Sequence, residues 1–103
     1  MMYIKVEVFI PEQYEKNLID ALNTQGLLGA GAYDYVYAST KVMGHWRPLA
    51  GSKPFIGQTG ALCGSKELKL EFRIQKNQKN VAESIIRRNH PYEEPIINFI
   101  ELI

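Results

Sequence analysis

Cysteine is nearly missing. Cys63 is the only one in the chain, which excludes an internal disulfide and any site built from several thiolates. Histidine is almost as scarce. His45 and His90 each lack a second His or Cys two to four residues away, so the spacing of a zinc-type site is not there. An excess of one charge is missing too. Twelve Lys and Arg against eleven Asp and Glu leave a formal +1, without the basic surplus on which nucleic-acid binding draws. The adjacent Arg87 and Arg88 suit the end of a helix, where cations complement its dipole.

Long apolar runs are also lacking. None approaches the ~20 residues of a membrane span, and Met1 to Val8 alternates instead of forming the apolar core of a signal peptide. A cytoplasmic protein with no membrane and no nucleic-acid partner is expected. Ser39, Ser52, Ser65 and Ser84 have no nucleophile-elbow context. Cys63 has no adjacent His to activate it, and the glycines around Gly29 do not follow the dinucleotide-binding spacing.

What is present is a regular alternation of elements. The 103 residues allow one domain, 1–103. Ile4, Val6, Val8 and Ile10 alternate with Tyr3, Lys5, Glu7 and Phe9, the period of a half-buried strand. Pro11 and Glu12 then open a helix. Tyr14, Leu18, Ala21 and Leu22 fall on one stripe of it, and Gly26 is a natural stop. Tyr33 to Met43 reads as a second strand. It places Tyr33, Tyr35 and Tyr37 on one face, either as a ligand platform or as a half-buried or subunit-contact face.

A Gly/Pro-rich loop follows at 44–65, joining the second strand to the third. Leu68, Leu70, Phe72 and Ile74 alternate with Glu67, Lys69, Glu71 and Arg73 in the clearest strand of the chain. Asn77 is placed to cap a second helix with Val81, Ala82, Ile85 and Ile86 buried. Asn89-His90-Pro91 ends that helix, and Ile96 to Ile103 forms a last strand. The order β-α-β-β-α-β predicts an α+β ferredoxin-like plait, an antiparallel sheet of order 4-1-3-2 with both helices on one face.

The 44–65 loop is too rich in Gly and Pro for a helix or central strand. With Trp46, Leu49, Phe55 and Ile56 it is also too apolar for a solvated linker. Trp46 and Arg47 offer a π face and a planar cationic fork for an anionic or planar ligand, or an anchor for the loop. His90, Glu93 and Glu94 supply N and O donors for a weak metal site; equally, His90 caps a helix end while the carboxylates face water. The segment 90–95 is expected at the opposite end of the sheet from the 44–65 loop. The two would then meet only between subunits.

Several blocks carry a resemblance: 31–35 (Gly-Ala-Tyr-Asp-Tyr), 44–49 (Gly-His-Trp-Arg-Pro-Leu), 54–57 (Pro-Phe-Ile-Gly) and 90–95 (His-Pro-Tyr-Glu-Glu-Pro). In this order they resemble the domain inserted in bacterial Nif-three-like proteins, hexamers around a dinuclear metal centre. Residues 89–93 are also similar to the CutA family. The Nif-three-like metal ligands lie in flanking halves with no counterpart among these residues, so that centre is not carried over. Both resemblances imply a fold similar to the PII signalling proteins, hence a homotrimer with effector clefts between subunits. They point to a stand-alone CutA/PII-like regulatory or protein-interaction module without catalysis, taking a small anion, metabolite or metal ion or a protein partner. Candidate ligand-binding residues are His45, Trp46, Arg47, His90, Tyr92 and Glu93. The alternatives are a divalent-metal-dependent hydrolase using His90, Glu93 and Glu94, or a purely structural assembly module.

Overall fold

Alternating apolar residues place one face of the chain's first strand, β1 (Tyr3–Pro11), wholly in the interior. The computed structural model describes residues 2–103. A single 3-10 turn at Glu12–Tyr14 leads from β1 into α1 (Glu15–Thr24), which buries Leu18, Ile19 and Leu22. After β2 (Ala38–Trp46) and β3 (Cys63–Gln75) come α2 (Lys79–Arg88) and β4 (Ile97–Leu102). The sheet order is β2-β3-β1-β4, every pair antiparallel. This is the predicted plait, read from its other edge.

Both helices cover the face carrying Ile4, Val6, Val8 and Ile10, and with Leu68, Leu70, Phe72 and Ile74 they close a single core. The opposite face holds Lys5, Glu7 and Glu71, joined by ion pairs of 3.0 and 3.1 Å through the Lys5 ammonium.

Several sequence expectations need correcting. Residues 33–37 lie outside β2. Tyr33 is 76% exposed, and Tyr35 takes a left-handed φ of 53°. Its N–H donates to Asn23 Oδ1 and its hydroxyl to Asp20, while the Tyr37 hydroxyl donates to Glu15. The three tyrosines form no shared platform, because side-chain bonds to α1 hold this segment off the sheet. In α2 the expected burial of Val81 fails, as it is 49% exposed. The helix is preceded by a 3-10 turn, Lys76–Gln78, and Val81 in its first turn flanks the buried stripe of Ala82, Ile85 and Ile86. Gln78 Oε1 accepts the Gln75 N–H at 2.9 Å, the reciprocal bond of a capping box shifted two residues earlier.

The β2–β3 hairpin is longer than its neighbours. Pro11, the end of β1, pairs with Glu67, so residues 63–66 and their β2 partners reach beyond the rest of the sheet. The connecting loop is 47–62, shorter at both ends than the expected 44–65, since Gly44, His45 and Trp46 pair with Ser65, Gly64 and Cys63.

Candidate functional site

An antiparallel strand begins where its neighbour ends. β4 therefore starts at the end of the sheet where β1 stops, and β2 stops there as well. The expectation that the 90–95 segment and the hairpin loop lie at opposite ends is wrong. They meet within one chain, and the Lys53 N–H donates to Glu93 Oε2 at 2.7 Å.

The loop is built of turns. The Gly60 N–H donates to the Pro48 carbonyl at 2.7 Å, and the Ser52 and Ala61 N–H groups close tighter turns onto Leu49 and Gln58. The Trp46 indole N–H donates to the Ile56 carbonyl at 3.1 Å, pinning the loop back on its own stem. Gly57 has φ 107°, and a Cβ there would stand 2.7 Å from Cys63 Sγ. Only glycine fits that crossing.

Between the loop and the 90–95 segment lies a cavity of about 450 Å³, within the size of small-molecule sites. Its walls are aromatic. The Tyr92 ring lies 5.4 Å from Trp46 and 6.2 Å from Phe55, centre to centre, and Phe55 meets Tyr14 edge-on at 5.9 Å. Such offsets and tilts suit aromatic quadrupoles. Phe9 and Ile96 extend the apolar lining.

At its floor is Glu67, only 4% exposed. The Tyr92 hydroxyl donates to Glu67 Oε2 at 2.6 Å, the length of a charge-assisted O–H···O⁻ bond. Burial, and then the Glu67 bond, push the Tyr92 hydroxyl well above its ordinary pKa, so it remains a donor. Among the described residues Glu67 joins no ion pair. A Cβ on Gly44, across the hairpin, would run into its carboxylate.

His90 stands behind Tyr92, their rings 5.0 Å apart. The Tyr92 N–H donates to His90 Nδ1 at 3.1 Å, and Nε2 lies 2.6 Å from the Phe9 carbonyl. Those partners require the tautomer with the proton on Nε2. Burial outweighs the Phe9 bond and the Glu67 charge and lowers the His90 pKa, which keeps the ring neutral.

Of the sequence candidates, His45, Trp46, Tyr92 and Glu93 line the cavity. Arg47 is exposed and outside the lining, and His90 acts as a support. The metal reading does not fit these residues. Both His90 nitrogens are engaged, Glu93 is held by a backbone N–H, and the described residues contain no cluster of three or more His, Cys, Asp or Glu. Glu67 was missed, because strand alternation puts it on the polar face with Lys69 and Glu71. Its carboxylate is covered instead by Tyr92 of the 90–95 segment and packs against Gly44 of β2. Its register opposite Pro11 and Val42, at the end the Trp-rich loop must cross, was the available signal.

No protein-family model matches the chain. The GTP cyclohydrolase 1 type 2 homolog of Staphylococcus epidermidis is 36% identical over 100 residues, 97% of this chain and 27% of that protein. Its Staphylococcus aureus counterpart is 36% identical over 101 residues, 98% of this chain and 28% of that protein. The chain thus spans about a quarter of the length of these relatives. The crystal structure of a Bacillus cereus protein related to NIF3 superposes with a TM-score of 0.84 at 25% identity, over 98% of this chain and 26% of that one. The periplasmic divalent cation tolerance protein CutA from Archaeoglobus fulgidus superposes with a TM-score of 0.73 over 98% of this chain and 84% of its own, at 11% identity, a likeness of fold alone. None of the described helices is long and apolar enough to cross a membrane. The chain is a relative of one segment of the NIF3-related proteins, carried on a ferredoxin-like backbone that CutA also uses.

Proposed function

We propose that this chain is a non-catalytic, cytoplasmic ligand-binding module, assembled as a homotrimer, that takes a small molecule in the cavity between loop 47–62 and segment 90–95 of a single subunit. One observation carries the reading: an apolar, aromatic-walled cavity of about 450 Å³ whose floor is a buried hydrogen-bonded carboxylate. Sites of this kind combine apolar walls with few, fixed polar groups. A ligand there would touch both segments at once and favour their closed arrangement, which is how binding shifts a loop population. The regulatory output would be the order of the 47–62 loop, presented to a protein partner.

A hydrolase would need a free base beside a bound substrate or water. His90 has both nitrogens occupied by backbone groups, so binding without chemistry is favoured.

The test is a thermal-shift screen of metabolites, anions and divalent metals on the purified chain, with Phe55→Ala in parallel. A ligand at about 100 times its Kd stabilises by about 2.7 kcal/mol. A rise in melting temperature confined to one compound class, and absent in Phe55→Ala, is expected. Indifference to every compound would leave only the structural assembly reading.

A further inference from the structure

We propose that the cavity selects an organic cation, an ammonium group on an apolar or aromatic body, with its nitrogen at Glu67 and its body against the cluster of Trp46, Phe55 and Tyr92. This rests on the cavity being a ligand site and adds the charge of what enters it.

Glu67 is the starting point. Its burial removes most hydration from the carboxylate, a cost ordinarily offset by a paired cation or several hydrogen bonds. Here Oε2 accepts one bond, from the Tyr92 hydroxyl. The hydroxyl is the donor of that bond, and 2.6 Å is the length of an O–H···O⁻ contact. Oε1 has no hydrogen-bond partner among the described residues and is not sealed off from solvent. The open oxygen belongs to a residue that lines the cavity. A buried carboxylate with one oxygen bonded and the other without a partner, on a residue that lines a cavity, is half of an ion pair.

The walls favour the same sign. Aromatic faces carry negative quadrupole potential and attract cations, and rings grouped around one volume are the usual means of holding an organic ammonium. The titratable groups of the lining are His45, Lys53, Glu67, Tyr92, Glu93 and Glu94. Lys53 is exposed, and it is its backbone N–H that meets Glu93. Among the described residues no Lys or Arg forms an ion pair with Glu67, Glu93 or Glu94. The small anion expected from Arg47 finds no cationic partner on the floor. A hydrated divalent metal ion would find one buried carboxylate and apolar walls, far from the oxygen-rich shell it needs.

Trp46 is the only tryptophan and lies in the wall, so its fluorescence reports the cavity directly. Three probes of similar shape separate charge from fit: phenethylammonium, the neutral 2-phenylethanol and the anionic phenylacetate, each titrated into the full chain at neutral pH. The expected result is saturable quenching by phenethylammonium at least about tenfold tighter than by 2-phenylethanol, about 1.4 kcal/mol in binding, with phenylacetate weakest. Glu67→Gln should bring the amine and the alcohol to equal affinity, and Phe55→Ala should weaken both together. Equal affinities in the unaltered chain, or a preference for phenylacetate, would overturn the charge assignment while leaving the cavity a ligand site. No saturable quenching by any probe would overturn both. The ranking is read on the unaltered chain, so it stands even where Glu67→Gln fails to fold.

Discussion

Tyr92 makes three kinds of contact from one position: a hydroxyl bond to Glu67, ring contacts to Trp46 and Phe55, and a backbone bond to His90. The imidazole therefore works as a spacer, accepting from the Tyr92 N–H while its other nitrogen faces the Phe9 carbonyl at the end of β1. That role needs a neutral ring. Its folded-state pKa lies below the ordinary value, burial being the largest cause, whereas the unfolded chain protonates near 6.5. Below that pH the unfolded state binds more protons than the folded one, so stability falls as pH drops through the window under about 6.5. Unfolding followed from about pH 7 to about pH 5 should show this loss in the unaltered chain and a smaller one in His90→Gln. Glutamine can still donate to the Phe9 carbonyl but does not titrate. Equal slopes in the two proteins would show that folding leaves the His90 pKa where it is in the unfolded chain.

The elements were legible wherever a periodic pattern met a single solvent boundary. β1 and the Leu68–Ile74 part of β3 have one face on the core and one on water, so alternation alone places them. Patterns failed where a side chain answered to a neighbour outside its own element. Tyr35 and Tyr37 look like strand residues, yet their hydroxyls belong to Asp20 and Glu15 on α1. Glu67 looks like a surface residue, yet it is buried, with its carboxylate held by Tyr92 from 25 positions along the chain. The cavity was legible in its aromatic parts and hidden in its charged one. Val81 shows the same limit at the scale of a turn: it lies at the edge of an apolar stripe that is buried only at Ala82, Ile85 and Ile86. Ile85→Ala should cost about 2–5 kcal/mol in urea unfolding, as for other buried large-to-small changes. Val81→Ser should stay within about 0.5 kcal/mol. A loss at Val81 as large as at Ile85 would return the stripe to its sequence-predicted width.

At the scale of the whole molecule the two faces of the sheet are unequal. One is roofed by α1 and α2. The other carries the Lys5 ion pairs beside β4, where Ile100 and Leu102 stand exposed. Apolar residues grouped on an uncovered face mark an interaction surface more often than isolated ones do, and closed symmetric assemblies bury such a face against another copy. Under the homotrimer reading this face is the contact. Light scattering at micromolar concentration should then return three times the 11.8 kDa chain mass. Ile100→Glu separates assembly from folding. Residue 100 is 40% exposed on the outer face opposite Lys5, so a glutamate there stays hydrated within its own chain, while a charge in an apolar contact between copies is costly. The variant should therefore keep its melting transition to within a few degrees and scatter as a monomer. An unaltered chain that already scatters at 11.8 kDa would remove the trimer, and the cavity would then have to act alone. It can, because all of its lining comes from one subunit.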